Sequence, residues 1–93
     1  MSGRSWRVVF TRPAERELKR LPADVAARLA GPIAALGLDQ QPRGAEKVVD
    51  TDAWRIRIGV MRVVYAVDAE QKVVLILRVA RRSESTYRRL GGA

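Results

Sequence analysis

The hydrophobic pattern changes period near residue 45. The chain opens with Trp6-Arg-Val-Val-Phe10, a β-rich run that predicts a strand. Ala14, Leu18 and Leu21 then recur at i, i+4 and i+7, one apolar stripe of a helix. Thr11 is placed to cap that helix, Pro13 sits near its first position, and Glu15 and Glu17 suit the positive end of its dipole. Pro22 ends it. A second helix opens around Pro22 or Asp24 and carries Val25, Leu29, Ile33 and Leu36 at steps of four, four and three. Pro32 cannot donate to the carbonyl of Arg28, so a kink or break is expected there. Gly37 marks the end, and Asp39 to Gly44 has the composition of a loop.

From residue 45 onward the period is two. Glu46 to Val49 is a weak strand. Trp54, Ile56 and Ile58 alternate with Arg55 and Arg57, Val60 to Val67 is a clear strand, and Lys72 to Ala80 is another. The turn Asp68 to Gln71 is too short for a crossover, so these strands form an antiparallel meander. A polar tail from Ser83 fits one or two helical turns. The expected architecture is α+β over residues 1–93 as one domain: an N-terminal strand, a two-helix hairpin covering one face of a mostly antiparallel sheet, then a short C-terminal helical tail.

The central hairpin can be registered from sequence. Gly59-Val60 suits a two-residue type II′ turn, with Gly at the first central position. Ile58 then pairs with Met61, Arg57 with Arg62, and Arg55 with Val64. Cross-strand partners share a face, so Arg55, Arg57 and Arg62 project together, within roughly 5–8 Å of one another. Trp54, Ile56, Ile58, Met61, Val63, Tyr65 and Val67 form the opposite, core-facing set. Arg78, Arg81 and Arg82 end the last strand; strict alternation puts Arg78 on the side of Ile76 and Val74.

Like charges directly opposite destabilise a sheet, so Arg57 against Arg62 calls for an offset. One is a local acid, with Glu46, Asp50 and Asp52 as candidates. The other is a bound anion such as a phosphodiester. The overall charge bears on this choice. Lys plus Arg is 18 against 10 for Asp plus Glu, a net charge of +8. Only Lys19, Lys47 and Lys72 are lysines, so fifteen of the cations are arginines. Arginine offers a planar fork that matches phosphate oxygens in pairs. A preference for Arg over Lys can reflect base composition of the genome, but the net charge does not, and it points to a polyanionic partner.

The sequence has no Cys and no His. That excludes disulfides, thiolate and imidazole metal sites, a cysteine nucleophile and a Ser-His-Asp arrangement. There is no apolar run long enough to span a bilayer and no secretory h-region near the start, so the expected location is the cytoplasm, with no membrane partner.

The stretch Trp54-Arg-Ile-Arg-Ile-Gly-Val-Met-Arg-Val-Val-Tyr-Ala-Val-Asp68, followed by Val73 to Arg82 and by Tyr87-Arg88, resembles the RelE/ParE toxin superfamily of bacterial type II toxin–antitoxin modules. The first strand, the helix around Ala14 to Pro22, and Pro42-Arg43 with Lys47 fit the same pattern. On its RelE-like side, which Arg62, Arg82 and Tyr87 together favour, the resemblance implies a ribosome-dependent endoribonuclease acting on mRNA in the A site. The 2′-hydroxyl attacks the adjacent phosphate, leaving a cyclic phosphate and a free 5′-hydroxyl, without metal or cofactor. It implies catalytic roles for Arg62, Arg82 and Tyr87, and phosphate contacts from Arg55, Arg57, Arg81 and Lys47.

Two departures are visible. Some relatives carry Lys where Arg55 and Arg57 stand, and arginine, always charged, serves as a clamp rather than a base. Many carry His where Arg81 stands, which leaves Tyr87 or Glu84 for proton transfer. The implied partner is a cognate antitoxin, acidic and partly disordered when free, with the toxin monomeric alone or in a hetero-oligomer with it. The ParE-like side implies instead a non-nuclease poison of DNA gyrase. A third alternative is an inactive relative that binds RNA or antitoxin.

Overall fold

The computed structural model describes residues 5–81. Its elements in chain order are β1 (Arg7–Phe10), α1 (Arg12–Lys19), α2 (Ala23–Ala35), β2 (Glu46–Lys47), β3 (Ala53–Ile58), β4 (Met61–Asp68) and β5 (Val73–Arg81). The C-terminal helical tail expected from Ser83 lies outside these residues.

Thr11 caps α1 as anticipated: its backbone is extended, at φ −69° and ψ 163°, and its Oγ1 accepts from the Ala14 N–H at 3.3 Å. The same hydroxyl donates to the Leu77 carbonyl of β5 at 3.1 Å, which ties the start of the helix to the sheet. Glu15 occupies the first turn, but Glu17 does not and has a different task. β1 follows β5 only as far as the pair Phe10 and Ile76. Beyond that point α1 supplies the partner. Glu17 Oε1 accepts from the Val79 N–H at 2.6 Å, while its Oε2 takes the Arg78 Nε at 2.9 Å.

The break or kink expected at Pro32 is not a break: α2 runs from Ala23 to Ala35 with Pro32 inside it. Both Pro32 and Arg28 are exposed, so the lost hydrogen bond falls on the solvent side of the helix, where an unmade bond costs least. Gln40 closes the far end of the helix by donating Nε2 to the carbonyls of Leu36 (3.0 Å) and Gly37 (3.1 Å). Gly37 is required by proximity. A Cβ there would lie 2.6 Å from the Trp6 carbonyl oxygen, and the Trp6 N–H donates to the Gly37 carbonyl at 2.7 Å.

The sheet order is β1-β5-β4-β3-β2, with β1 parallel to β5 and the other pairs antiparallel. The meander is thus as expected, and the first strand is added beside the last. β2 is shorter than the expected Glu46 to Val49. Asp50 adopts φ 63°, the Thr51 hydroxyl donates to the Val48 carbonyl at 2.8 Å, and Val49 is left 81% exposed. The hairpin register holds residue for residue: Ile58 with Met61, Arg57 with Arg62, Arg55 with Val64. Gly59 has φ 62° while Val60 is not in the positive-φ region, as a type II′ turn requires.

Both helices bury their apolar side on one face of the sheet. Ala14, Leu29, Ile33 and Leu36 meet Met61, Val63, Tyr65, Val74, Ile76 and Val79 in one core, with Trp54, Ile56 and Ile58 packed at its margin. Tyr65 is wholly buried, and its hydroxyl donates to the Gln40 carbonyl at 2.8 Å. Burial first, and the charge of Asp39 second, raise its pKa above the ordinary 10.0.

Two outcomes are expected. Glu17→Ala should cost about 1–2 kcal/mol, because it removes a charge-assisted bond to an otherwise unpaired strand amide. Arg78→Ala should cost less, because the Arg78 side chain is 52% exposed. Urea unfolding of both variants checks this; equal losses would mean that the ion pair, not the Val79 amide, fastens the helix. The second outcome concerns alkaline pH. The unfolded chain deprotonates Tyr65 before the folded chain does, so stability is intact below about pH 10 and falls as the pH rises through the raised folded value. Tyr65→Phe should lose about 1 kcal/mol at neutral pH and show a shallower alkaline decline.

Candidate nucleic-acid interface

The sheet face turned away from the helices carries the arginines. On the β3–β4 hairpin the pairing of Arg57 with Arg62, beside Arg55 and Val64, puts all three guanidinium-bearing side chains on that open face. They differ in surroundings. Arg55 is half-buried and reaches Glu46 on β2, its direct cross-strand partner, with Nη2 3.1 Å and Nε 3.3 Å from Oε1. The acid anticipated next to this face is therefore Glu46, and it serves Arg55. Arg62, on the inner strand β4, is half-buried, and its Nε is shielded from solvent. Arg57 is exposed and forms no ion pair among the described residues. The open face thus presents a half-buried cation, Arg62, beside an exposed one, Arg57, with a third held in register by a carboxylate.

Apolar side chains complete this face. Val64 and Ala66 on β4 and Leu75 on β5 are partly exposed there, and Val9 at the β1 edge is 38% exposed. The arrangement is a basic end grading into an apolar one.

The remaining sites are scattered. A bulge interrupts the pairing of β4 and β5 between Val64 and Tyr65, so that Arg78 pairs with Val64 and Ile76 with Tyr65. Strict alternation, which put Arg78 on the side of Ile76 and Val74, fails here because Leu77 is the additional residue. Arg78 does not join the cluster either. Its Nη2 lies 2.7 Å from Glu17 Oε2, and that hydrogen bond, with the adjacent charge, raises its pKa. Arg81 pairs with Met61, a core residue, and so lies on the parity of the helix-covered face at the strand's end. Lys47 pairs with Trp54 and shares that parity. Neither stands with Arg57 and Arg62. Arg82, Glu84 and Tyr87 lie outside the described residues. Glu17 was read from sequence only as a dipole partner. The missing clue was its distance from β5 along the chain, which no local pattern encodes.

The family model for the ParE toxin of type II toxin–antitoxin systems, parDE, matches residues 8–86. The chain belongs to this toxin family. Within the wider RelE/ParE group, the fold of this ParE-family chain is similar to that of the RelE–RelB complex from Pyrococcus horikoshii OT3, at 28% identity and a TM-score of 0.72, over 86% of this chain and 98% of that one. The RelBE2 toxin–antitoxin complex from Mycobacterium tuberculosis is 26% identical with a TM-score of 0.66, over 84% of this chain and 99% of that one. The intact E. coli RelBE toxin–antitoxin complex, 20% identical with a TM-score of 0.76 over 86% and 100% of the two chains, shares the fold. No curated protein sequence matches the ParE-family chain significantly. No helix among its described residues is long and apolar enough to cross a membrane.

Arg57 against Arg62 carries a testable cost. Arg57→Thr removes a like-charge pair and places a good strand former on an exposed β3 position, so it should raise stability by a few tenths of a kcal/mol. Thermal melts check the sign; a loss of stability would show that the two arginines do not repel measurably.

Proposed function

We propose that this toxin is an endoribonuclease of the RelE type, cleaving mRNA on the ribosome. The observation that carries this reading is the pairing of Arg57 with Arg62 on the open sheet face, which sets two guanidinium groups side by side where one phosphodiester can be held by both. The resemblance supplies the rest: Arg82 and Tyr87 complete the site, with Arg55, Arg81 and Lys47 as further contacts to RNA. In the reaction, the 2′-hydroxyl loses a proton as its oxygen bonds to phosphorus. The bond from phosphorus to the 5′-oxygen breaks, and that oxygen gains a proton. Arg62 and Arg57 suit the role of stabilising charge on the five-coordinate phosphate, since guanidinium donors are fixed in a fork and remain charged. Proton transfer falls to Tyr87 or Glu84. The placement of Arg81 beside Met61 supports a peripheral contact for it, and Lys47 likewise would touch RNA away from the arginine pair.

The partner is a cognate antitoxin, as in the complexes named above. Its acidic segment would compete for the arginine positions, and its apolar residues have Val64, Ala66, Leu75 and Val9 to cover. The second reading is a gyrase poison, favoured by the family model, which is that of the ParE toxin.

Induction of the toxin alone, followed by primer extension on cellular mRNA, separates the two. New 5′ ends within coding frames are expected; a DNA-damage response without such ends would establish the ParE-type target. Arg62→Ala, with circular dichroism to verify folding, should abolish those ends, as should Arg82→Ala. Tyr87→Phe should reduce them by at least tenfold if the phenol moves a proton, since positioned acid–base groups contribute about 10²–10⁴-fold.

A further inference from the structure

A second basic surface lies on the helix layer, on the other side of the core from Arg57 and Arg62. Arg12, Arg16 and Arg20 follow one another at steps of four, and Lys19 stands between the last two, so all four side chains share one side of α1 and its cap. That side is opposite Ala14, Leu18 and Leu21, the residues that α1 and its C-terminal turn place in or against the core. All four cations are exposed, and none is ion-paired among the described residues, although Glu15 stands four positions before Lys19. Helix stability does not account for the set. Arg16, Lys19 and Arg20 suit the negative end of the helix dipole, but Arg12 sits at the positive end, and like charges four residues apart disfavour the helix.

We propose that Arg12, Arg16, Lys19 and Arg20 form a phosphate-binding stripe that grips the backbone of double-helical RNA. Three features select this occupant. The stripe has no aromatic residue on which an unstacked base could lie, so single-stranded RNA gains little there. None of the exposed large hydrophobic side chains among the described residues belongs to α1, so the stripe lacks both the apolar anchor of a protein partner and the insertable face of a membrane-surface helix. Cations repeating at one helical turn along a straight axis match a row of phosphates, which carries charge but no sequence. The inference stands independently of cleavage: it assigns a grip on folded RNA, leaving the open sheet face to the strand that is cut.

The test uses the purified full chain and two fluorescent probes, a long-stemmed RNA hairpin and an unstructured single-stranded oligonucleotide, titrated over a range of salt. The variant Arg12→Gln/Arg16→Gln/Arg20→Gln should bind the hairpin at least tenfold more weakly at low salt. The slope of log affinity against log salt should shrink by about two to three units, near one per lost phosphate contact. Its affinity for the single strand should change less than twofold. A charge-matched control, Arg28→Gln/Arg43→Gln/Lys72→Gln, should keep the hairpin slope. Equal losses in the two triple variants would overturn the proposal, because net charge alone would then explain binding. So would an unchanged hairpin slope in the α1 variant. Single-strand binding and mRNA cleavage report on the sheet face separately, through Arg57 and Arg62 variants, so failure of one reading leaves the other standing.

Discussion

Past Ile76, β5 has no strand on its outer side among the described residues, and side chains take up main-chain groups there. Thr11 Oγ1 satisfies the Leu77 carbonyl and Glu17 Oε1 satisfies the Val79 amide. Two side chains of one helix thus stand in for a strand. An unpaired buried amide or carbonyl costs about as much as a good hydrogen bond yields, so this substitution fixes where α1 can lie. It also spans the bulge at Leu77, where the alternation of β5 is reset and Arg78 acquires its position opposite Val64. The helix, the core behind Ala14 and the end of the last strand are held by the same few atoms.

What the sequence made legible follows from range. The β3–β4 hairpin could be registered residue by residue because one glycine in a two-residue turn determines every pair above it. Thr11, Leu29 and Ile33 were readable because a cap and a helical stripe are local. The bulge was not, because the alternation of Val74, Ile76 and Arg78 contains nothing that marks Leu77 as additional. Nor was the addition of β1 beside β5, since two strands more than sixty residues apart declare no pairing. Pro32 left a kink and a break both open, because the sequence does not reveal that it and Arg28 lie on the exposed side of a helix that continues through them.

The candidate site divides along the same line. Arg55, Arg57 and Arg62 were found together because they sit on one registered hairpin. Lys47 and Arg81 were grouped with them by charge and resemblance, and the pairings with Trp54 and Met61 separate them. Charge identifies what a protein can attract; parity decides which face attracts it. Arg57 on the open face and the arginines aligned along α1 are exposed and form no ion pair among the described residues, whereas Arg55 and Arg78, held by Glu46 and Glu17, brace the fold.

The parallel pairing of β1 with β5 has a consequence for synthesis. β1 ends at Phe10 and its partner begins at Val73, so the sheet cannot be completed until most of the chain has left the ribosome. At translation rates of about 5–20 residues per second, the first strand waits roughly 3–12 s for the last. Through that interval α1 has neither Leu77 nor Val79 to hold, and its apolar side lacks Val74, Ile76 and Val79 of the core. Closing so long a loop is entropically costly and tends to slow folding. A toxin domain built this way cannot close its sheet until β5 has been made, so its birth carries a delay during which a partner already present can reach it first.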